Sequence, residues 1–117
     1  MQWASHAAMV AALHKPAITL WKELDAGKIN SWHAATGIAT EAGELLSSIK
    51  ARVVYDKPLD RINIIEELGD LEFYMEQLRQ ELQITREQTL EANMEKLNKR
   101  YGSGYSNKAA QDRADKT

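Results

Sequence analysis

Apolar residues recur at helical spacing along most of the chain, and this periodicity is the feature that most restricts its fold. They return every three or four positions, whereas the alternating pattern of a β-strand is scarce. The length of 117 residues suits one domain, since domains cluster near roughly 100 to 150 residues. The sequence therefore predicts a single all-α domain over residues 1–102, built as a four- to five-helix bundle.

Turn-forming residues predict where the first helices begin and end. The first helical stretch covers about residues 2–26, where Pro16 is expected to kink or split the helix. Gly27 is expected to end it. Asn30 or Ser31 can then cap the next helix, because both side chains accept hydrogen bonds from free backbone N–H groups.

Three further helical stretches follow, at about residues 30–54, 61–82 and 86–100. The segment YDKPLD separates the second from the third, and Asp60 can cap the third. Thr85 and Gln88 have the spacing of a capping box at the start of the fourth. Residues 103–117 are small and polar, so they are predicted to form a flexible tail, or an arm that orders only against a partner.

Charge and composition exclude several classes of function. The net charge is −2 and the pI is about 5.9, so the chain lacks the basic field that attracts nucleic acid or an anionic membrane. It has no cysteine, which excludes disulfides and thiolate zinc sites. The apolar start has no basic segment and is shorter than the roughly 18 apolar residues of a membrane span. We expect a cytoplasmic protein without nucleic-acid or membrane partners.

Acidic residues border the apolar stripes of the second and third helices. At about 100° per residue, Glu41 and Glu44 flank one stripe, and Glu67, Asp70 and Tyr74 flank the other. The two stripes consist of Ile38, Ala42, Leu45, Leu46, Ile49 and Val53, and of Ile64, Leu68, Leu71, Met75, Leu78 and Leu82. If the stripes pack together, the four carboxylates meet beside the core.

Clustered carboxylates repel one another, which raises their pKa values unless a cation neutralises them. Oxygen ligands without thiols or clustered histidines suit Mg²⁺, with Mn²⁺ as a substitute. The alternative interpretation is that the charges simply extend to solvent beside the stripes. The helix positions do not explain Gly43 and Gly69, which lie between the paired acids and outside both stripes; close approach of another helix is one hypothesis.

The ordered motifs resemble a known family. Glu41-Ala-Gly-Glu44, Glu67-Leu-Gly-Asp70 and the segment from Asn93 to Tyr101 follow the order ExxE, ExxD and NxxKLxxRY. This order is similar to that of the MazG-like all-α nucleoside triphosphate pyrophosphohydrolases, over residues 30–102. Many members have a doubled acid at the start of the first motif, where this sequence has Thr40 before the first glutamate.

The resemblance implies hydrolysis of a nucleoside triphosphate to the monophosphate and pyrophosphate, by water activated by Mg²⁺ at the α-phosphorus. It also implies that Glu41, Glu44, Glu67 and Asp70 hold the metal, and that the active unit is a homodimer or homotetramer. Glu41 or Glu44 is the expected catalytic base, and Glu66 is a further candidate.

The remaining candidate residues would contact the substrate. Lys96 and Arg100 are expected to bind phosphate oxygens, and Asn93 to orient a phosphate or a sugar hydroxyl. The structural alternative is that these cations only favour a helix C-terminus. The aromatic candidates for the base and sugar are Trp32, His33 and Tyr74, each of which also fits a core or capping role.

Two other functions stay open. A phosphoribosyl-ATP pyrophosphohydrolase has a similar carboxylate arrangement, and the sequence does not exclude that substrate. A non-catalytic helical interaction module is the alternative from a different class. The sequence does not indicate which base or sugar is preferred.

Overall fold

The computed structural model describes residues 2–102 and 104–116, and all the regular structure in this part of the chain is helical. The α-helices are α1 (His6–Leu13), α2 (Ala17–Glu23), α3 (Ala26–Val54), α4 (Arg61–Leu82), α5 (Arg86–Tyr101) and α6 (Asn107–Asp112), followed by a 3₁₀ turn (Ala114–Lys116). The prediction of an all-α fold is confirmed. Among the described residues, no helix combines the length and the apolar character of a membrane span.

The N-terminal boundaries differ from the prediction. Pro16 was predicted either to kink or to split the first helical stretch, and the structure shows that it splits the stretch into α1 and α2. The predictions that Gly27 ends this stretch and that Asn30 or Ser31 caps the next helix were wrong, because α3 already begins at Ala26. The physical reason is Asp25, whose Oδ1 accepts a hydrogen bond from the backbone N–H of Lys28 at 2.8 Å.

The later helix boundaries agree with their capping residues. Asp60 Oδ1 accepts from the backbone N–H of Asn63 at 3.0 Å, so α4 begins at Arg61 as predicted. Thr85 and Gln88 form the predicted capping box at the start of α5, with distances of 2.8 and 3.1 Å.

Helices α3 and α4 pack against each other as an antiparallel pair. Asn30 Nδ2 donates to Glu81 Oε2 at 3.3 Å near one end. Asn63 Nδ2 donates to Ser48 Oγ at 2.7 Å near the other. Positions on α3 therefore rise as positions on α4 fall, which brings the first acidic motif opposite the second.

Helix α5 does not pack along this pair in a single chain; its packing partners are α6 and the 3₁₀ turn. The radius of gyration is 20.2 Å, against about 13 Å for a compact chain of this length. Among the described residues, Ala34 is the one fully buried apolar side chain. Predicted stripe residues such as Leu46 and Val53 stay exposed, at 67% and 75%. The helical arrangement of one chain is therefore open.

Candidate active site

Three of the predicted acidic residues meet where α3 crosses α4. Glu41, Glu67 and Asp70 each place one carboxylate oxygen within 4.8 Å of those of the other two. Glu67 and Asp70 lie one turn apart on α4, so both face the same part of α3. Glu41 and Glu67 are half-buried, and Asp70 is exposed.

The electrostatics of this cluster are unfavourable without a cation. Burial, and then repulsion from Glu44 and Glu41, raises the pKa of Glu67 above its ordinary value. Its Oε2 atom is buried and has no hydrogen-bond partner in the part of the chain that the structure describes. A buried acceptor without a donor costs free energy, and a hard divalent cation with oxygen ligands satisfies it. The residues present therefore fit a hard divalent cation.

The other two carboxylate candidates lie outside this group of three. Glu44 is exposed on α3, near enough to raise the pKa of Glu67, but it is not one of the residues whose oxygens lie within 4.8 Å of one another. Glu66 is also exposed. The structure thus brings three of the four predicted metal ligands together and leaves the fourth at the edge.

An aromatic contact adjoins the cluster through Tyr74, one turn beyond Asp70. The half-buried Tyr74 ring packs edge-on against His33, with ring centroids 6.1 Å apart. Its ring lies directly against Gly37, where a β-carbon would overlap it. Gly37 was not among the residues predicted from the sequence; a glycine inside a helix and on the side facing another helix is the signal that indicates such close packing.

The remaining substrate candidates line another cleft, lie on α5 or are bound by other residues. Trp32 is 70% exposed and lines a cleft with Leu20, Leu24 and Ile29. Asn93 and Lys96 are exposed on α5, which does not pack along α3 or α4.

Arg100 is bound by the C-terminal segment. Its Nε donates to Asp115 Oδ1 at 2.9 Å, and the two side chains are only 15% and 4% exposed. Arg100 Nη2 and Asp115 Oδ2 are buried and find no hydrogen-bond partner among the described residues. The C-terminal segment, which was predicted to be flexible, thus contains α6 and forms a buried ion pair with α5. Arg100, the predicted phosphate-binding residue, is therefore held by a carboxylate of its own chain.

The comparison with protein families gives a match over most of the chain. The model of the MazG nucleotide pyrophosphohydrolase domain matches residues 33–104. The chain belongs to the MazG nucleotide pyrophosphohydrolase domain family. No curated protein and no solved structure matches it.

The MazG match covers all three acidic residues of the cluster, together with Glu44, His33 and the candidates on α5. It leaves out α1, α2 and Asp115. The ion pair at Arg100 and the two N-terminal helices are therefore features of this chain that the MazG match does not describe.

The Arg100–Asp115 pair predicts a pH-dependent contact between α5 and the C-terminal segment of this MazG protein. The hydrogen bond from Arg100 lowers the pKa of Asp115 below its usual value, which is about 3.9. A lowered pKa in the folded state means that the contact stabilises fully above the unfolded pKa and is lost as the pH falls through the folded pKa. We expect the Arg100 Nε–H resonance in NMR spectra to keep the chemical shift of the bonded side chain at neutral pH, and to move toward that of a free arginine side chain only as the pH falls below the ordinary aspartate pKa of about 3.9. Asp115→Asn should remove this titration, and a signal that titrates unchanged in this variant would contradict the assignment.

Proposed function

We propose that the chain is a Mg²⁺-dependent pyrophosphohydrolase that converts a nucleoside or deoxynucleoside triphosphate to the monophosphate and pyrophosphate. The observation that carries the proposal is the cluster of Glu41, Glu67 and Asp70, with its unpartnered buried oxygen. Membership of the MazG family supports the same reaction class.

The residues of this chain have distinct proposed roles. Glu41, Glu67 and Asp70, with Glu44 at the edge, hold the metal. Glu41 or Glu44 accepts a proton from the attacking water, whose oxygen bonds to the α-phosphorus as the bond to the β-phosphate oxygen breaks. When bound, Mg²⁺ neutralises phosphate charge and lowers the pKa of a coordinated water.

Base and sugar recognition is proposed for the aromatic residues near the cluster. His33 and Tyr74 already contact each other, with Tyr74 one turn from Asp70, which favours them over Trp32, a residue that lines the cleft with Leu20, Leu24 and Ile29. Asn93, Lys96 and Arg100 are proposed phosphate or sugar contacts. Because α5 does not pack along the α3–α4 pair in one chain, these residues reach the cluster only when assembly or movement brings α5 to it.

The reaction is tested by measuring pyrophosphate release from a panel of nucleoside and deoxynucleoside triphosphates, with Mg²⁺ and with EDTA. We expect turnover only with the metal. Mg²⁺ should also raise the melting temperature, since it binds the folded state, and Glu67→Gln should remove this increase. No turnover on any substrate, together with a metal-dependent melting temperature, would direct the search to phosphoribosyl-ATP. No turnover and no metal effect would instead favour an interaction module.

We further propose that the functional unit is a homodimer or homotetramer. The chain exposes 9664 Å², whereas a folded monomer of 13.2 kDa exposes about 6,400 Å². The surplus of about 3,200 Å² per chain exceeds one side of an ordinary interface, which buries about 800 Å² per partner.

Self-association is tested by light scattering at micromolar concentration. We expect a mass of at least twice 13.2 kDa, because the apolar surface that one chain leaves open must be covered for a stable core to form. A monomeric mass would contradict the proposal. Dilution should lower the melting temperature of the assembled protein, as mass action requires.

A further inference from the structure

The C-terminal segment, residues 107–116, lies on the face of α5 that carries two proposed phosphate contacts. It comprises α6 and the 3₁₀ turn, and both pack against α5. Lys96 and Arg100 are four positions apart on α5 and therefore share one face of that helix. Asp115 binds Arg100, and it lines a cavity of about 250 Å³ together with Lys96 and Lys99. A segment beyond residue 104, where the MazG match ends, therefore meets both contacts.

The cavity at Asp115 is rich in positive charge. Its charged lining residues are Glu95, Lys96, Lys99, Asp115 and Lys116. With Arg100, which pairs with Asp115, three lysines and one arginine lie beside two carboxylates in the described part of the chain. A local excess of positive charge attracts anions. The carboxylate of Asp115 therefore lies where an anion from solution would bind.

The pair between Arg100 and Asp115 uses only part of its bonding capacity. Arg100 Nε donates to Asp115 Oδ1 at 2.9 Å, whereas Arg100 Nη2 and Asp115 Oδ2 are buried and find no partner among the described residues. Buried polar atoms without partners cost free energy. A phosphate group accepts two parallel hydrogen bonds from a guanidinium. The pair is therefore weaker than the contact that a phosphate group makes with an arginine in this way.

Phosphate reaches Arg100 only if the segment moves. The side chain of Arg100 is 15% exposed and that of Asp115 is 4% exposed, so the paired atoms are closed to a ligand in solution. We propose that the C-terminal segment is autoinhibitory, with Asp115 holding Arg100 in place of a substrate phosphate until the triphosphate displaces it. The inference rests on the proposed function, because that function assigns Arg100 to substrate phosphate.

Equilibrium dialysis of the full-length chain against radiolabelled pyrophosphate in EDTA tests this competition. EDTA keeps the carboxylate cluster free of metal, so bound pyrophosphate reports on the cations of α5. Asp115→Asn is expected to lower the dissociation constant about tenfold or more, because it removes a competing charge-assisted hydrogen bond. An equal or higher dissociation constant in this variant would overturn the proposal.

Asp112→Asn is the matched control. Asp112 is in the same segment and its side chain is 55% exposed, but it binds Lys108 of that segment at 2.7 Å rather than α5. Both substitutions remove one negative charge, so an effect of net charge appears in both. The control should change the dissociation constant by less than about twofold, as expected for an exposed ion pair. A similar decrease in both variants would overturn the specific role of Asp115.

Arg100→Gln tests whether Asp115 acts through Arg100. In the Arg100→Gln protein, Asp115→Asn should change the dissociation constant by less than about twofold, because the coupling between two residues disappears when one of them is absent. The same decrease in this background as in the wild type would overturn the proposal.

Turnover with Mg²⁺ separates a failure of this inference from a failure of the proposed function. Asp115→Asn should raise kcat/KM for the triphosphate about tenfold, because the competent state no longer has to be released from the contact. An active wild type with an equal kcat/KM in the variant would overturn only the autoinhibition. No turnover from either protein would overturn the proposed function, whereas the dialysis would still decide whether Asp115 competes with an anion.

Hydrogen exchange on the wild-type protein needs no substitution. Saturating pyrophosphate in EDTA should make the amide hydrogens of α6 exchange about fivefold faster or more, since a helix of six residues is marginal without packing. The amide hydrogens of α3 and α4 should exchange at their original rates. Unchanged exchange in α6 at saturation would mean that the anion binds without displacing the segment, which would overturn the proposal.

Discussion

Asp70→Asn is expected to lower metal-dependent pyrophosphate release by about 10²- to 10³-fold, comparable to the loss of a preorganised charge-stabilising group. Asp70 is exposed and packs little, so the substitution removes a negative charge from the cluster without disturbing the helix pair. Circular dichroism should therefore give wild-type helical content. Release of pyrophosphate at saturating Mg²⁺ is the measurement.

Glu72→Gln is the matched control for this prediction. Glu72 is on the same helix and its side chain is 56% exposed, but it faces Arg79 at 4.0 Å rather than the cluster. We expect wild-type turnover from it. Glu44→Gln should lower turnover in the same way as Asp70→Asn, and an active double variant lacking both acids would refute the assignment of the site.

Gly37→Ala is expected to destabilise the protein by about 2 kcal/mol, since added core atoms without room typically cost 1–3 kcal/mol. The new methyl group would overlap the Tyr74 ring, so the ring or the whole of α4 has to move. This loss exceeds the gain of about 1 kcal/mol that alanine brings to a helix. Chemical denaturation with urea gives the free energy of unfolding.

Gly43→Ala, on the same helix, is expected to raise the stability of the protein rather than lower it. No atom lies within 4 Å of a β-carbon at Gly43, so the helix propensity gain of about 1 kcal/mol should appear as stabilisation. If both substitutions change the stability by the same amount, the contact between Gly37 and Tyr74 does not govern the packing. The open space at Gly43 and Gly69 also means that the close approach suggested for these glycines is not supplied by the chain itself.

The starts of two helices were predictable from their capping residues. Asp60 capped α4 and the Thr85–Gln88 box capped α5, because each motif satisfies backbone donors within three residues. The error at the start of α3 had a local cause as well: Asp25 provides an earlier cap than Asn30 or Ser31. Several residues were acceptable caps, and the sequence pattern did not rank them.

Part of the candidate site followed from helical spacing alone. Spacing placed Glu67 and Asp70 on one side of α4 and Glu41 on the facing side of α3, and the antiparallel pairing then brought their oxygens together. The place of Glu44 at the edge depends on where the two helices cross, which spacing does not specify. The contact of Asp115 with Arg100 joins residues 15 positions apart across α6, and no periodic pattern predicts it.

The sequence by itself determined that this chain is all-α, where most of its helices begin and end, and that its family motifs lie on successive helices. These features arise from interactions within a few residues along the chain. Only the tertiary structure decided that α3 and α4 pair in the register that joins Glu41 to Glu67 and Asp70, that α5 packs against the tail, and that neither α1 nor α2 packs along another described helix. Those outcomes depend on which apolar surfaces meet across long separations, and burial of such surfaces is non-directional, so sequence pattern alone does not select among the partners.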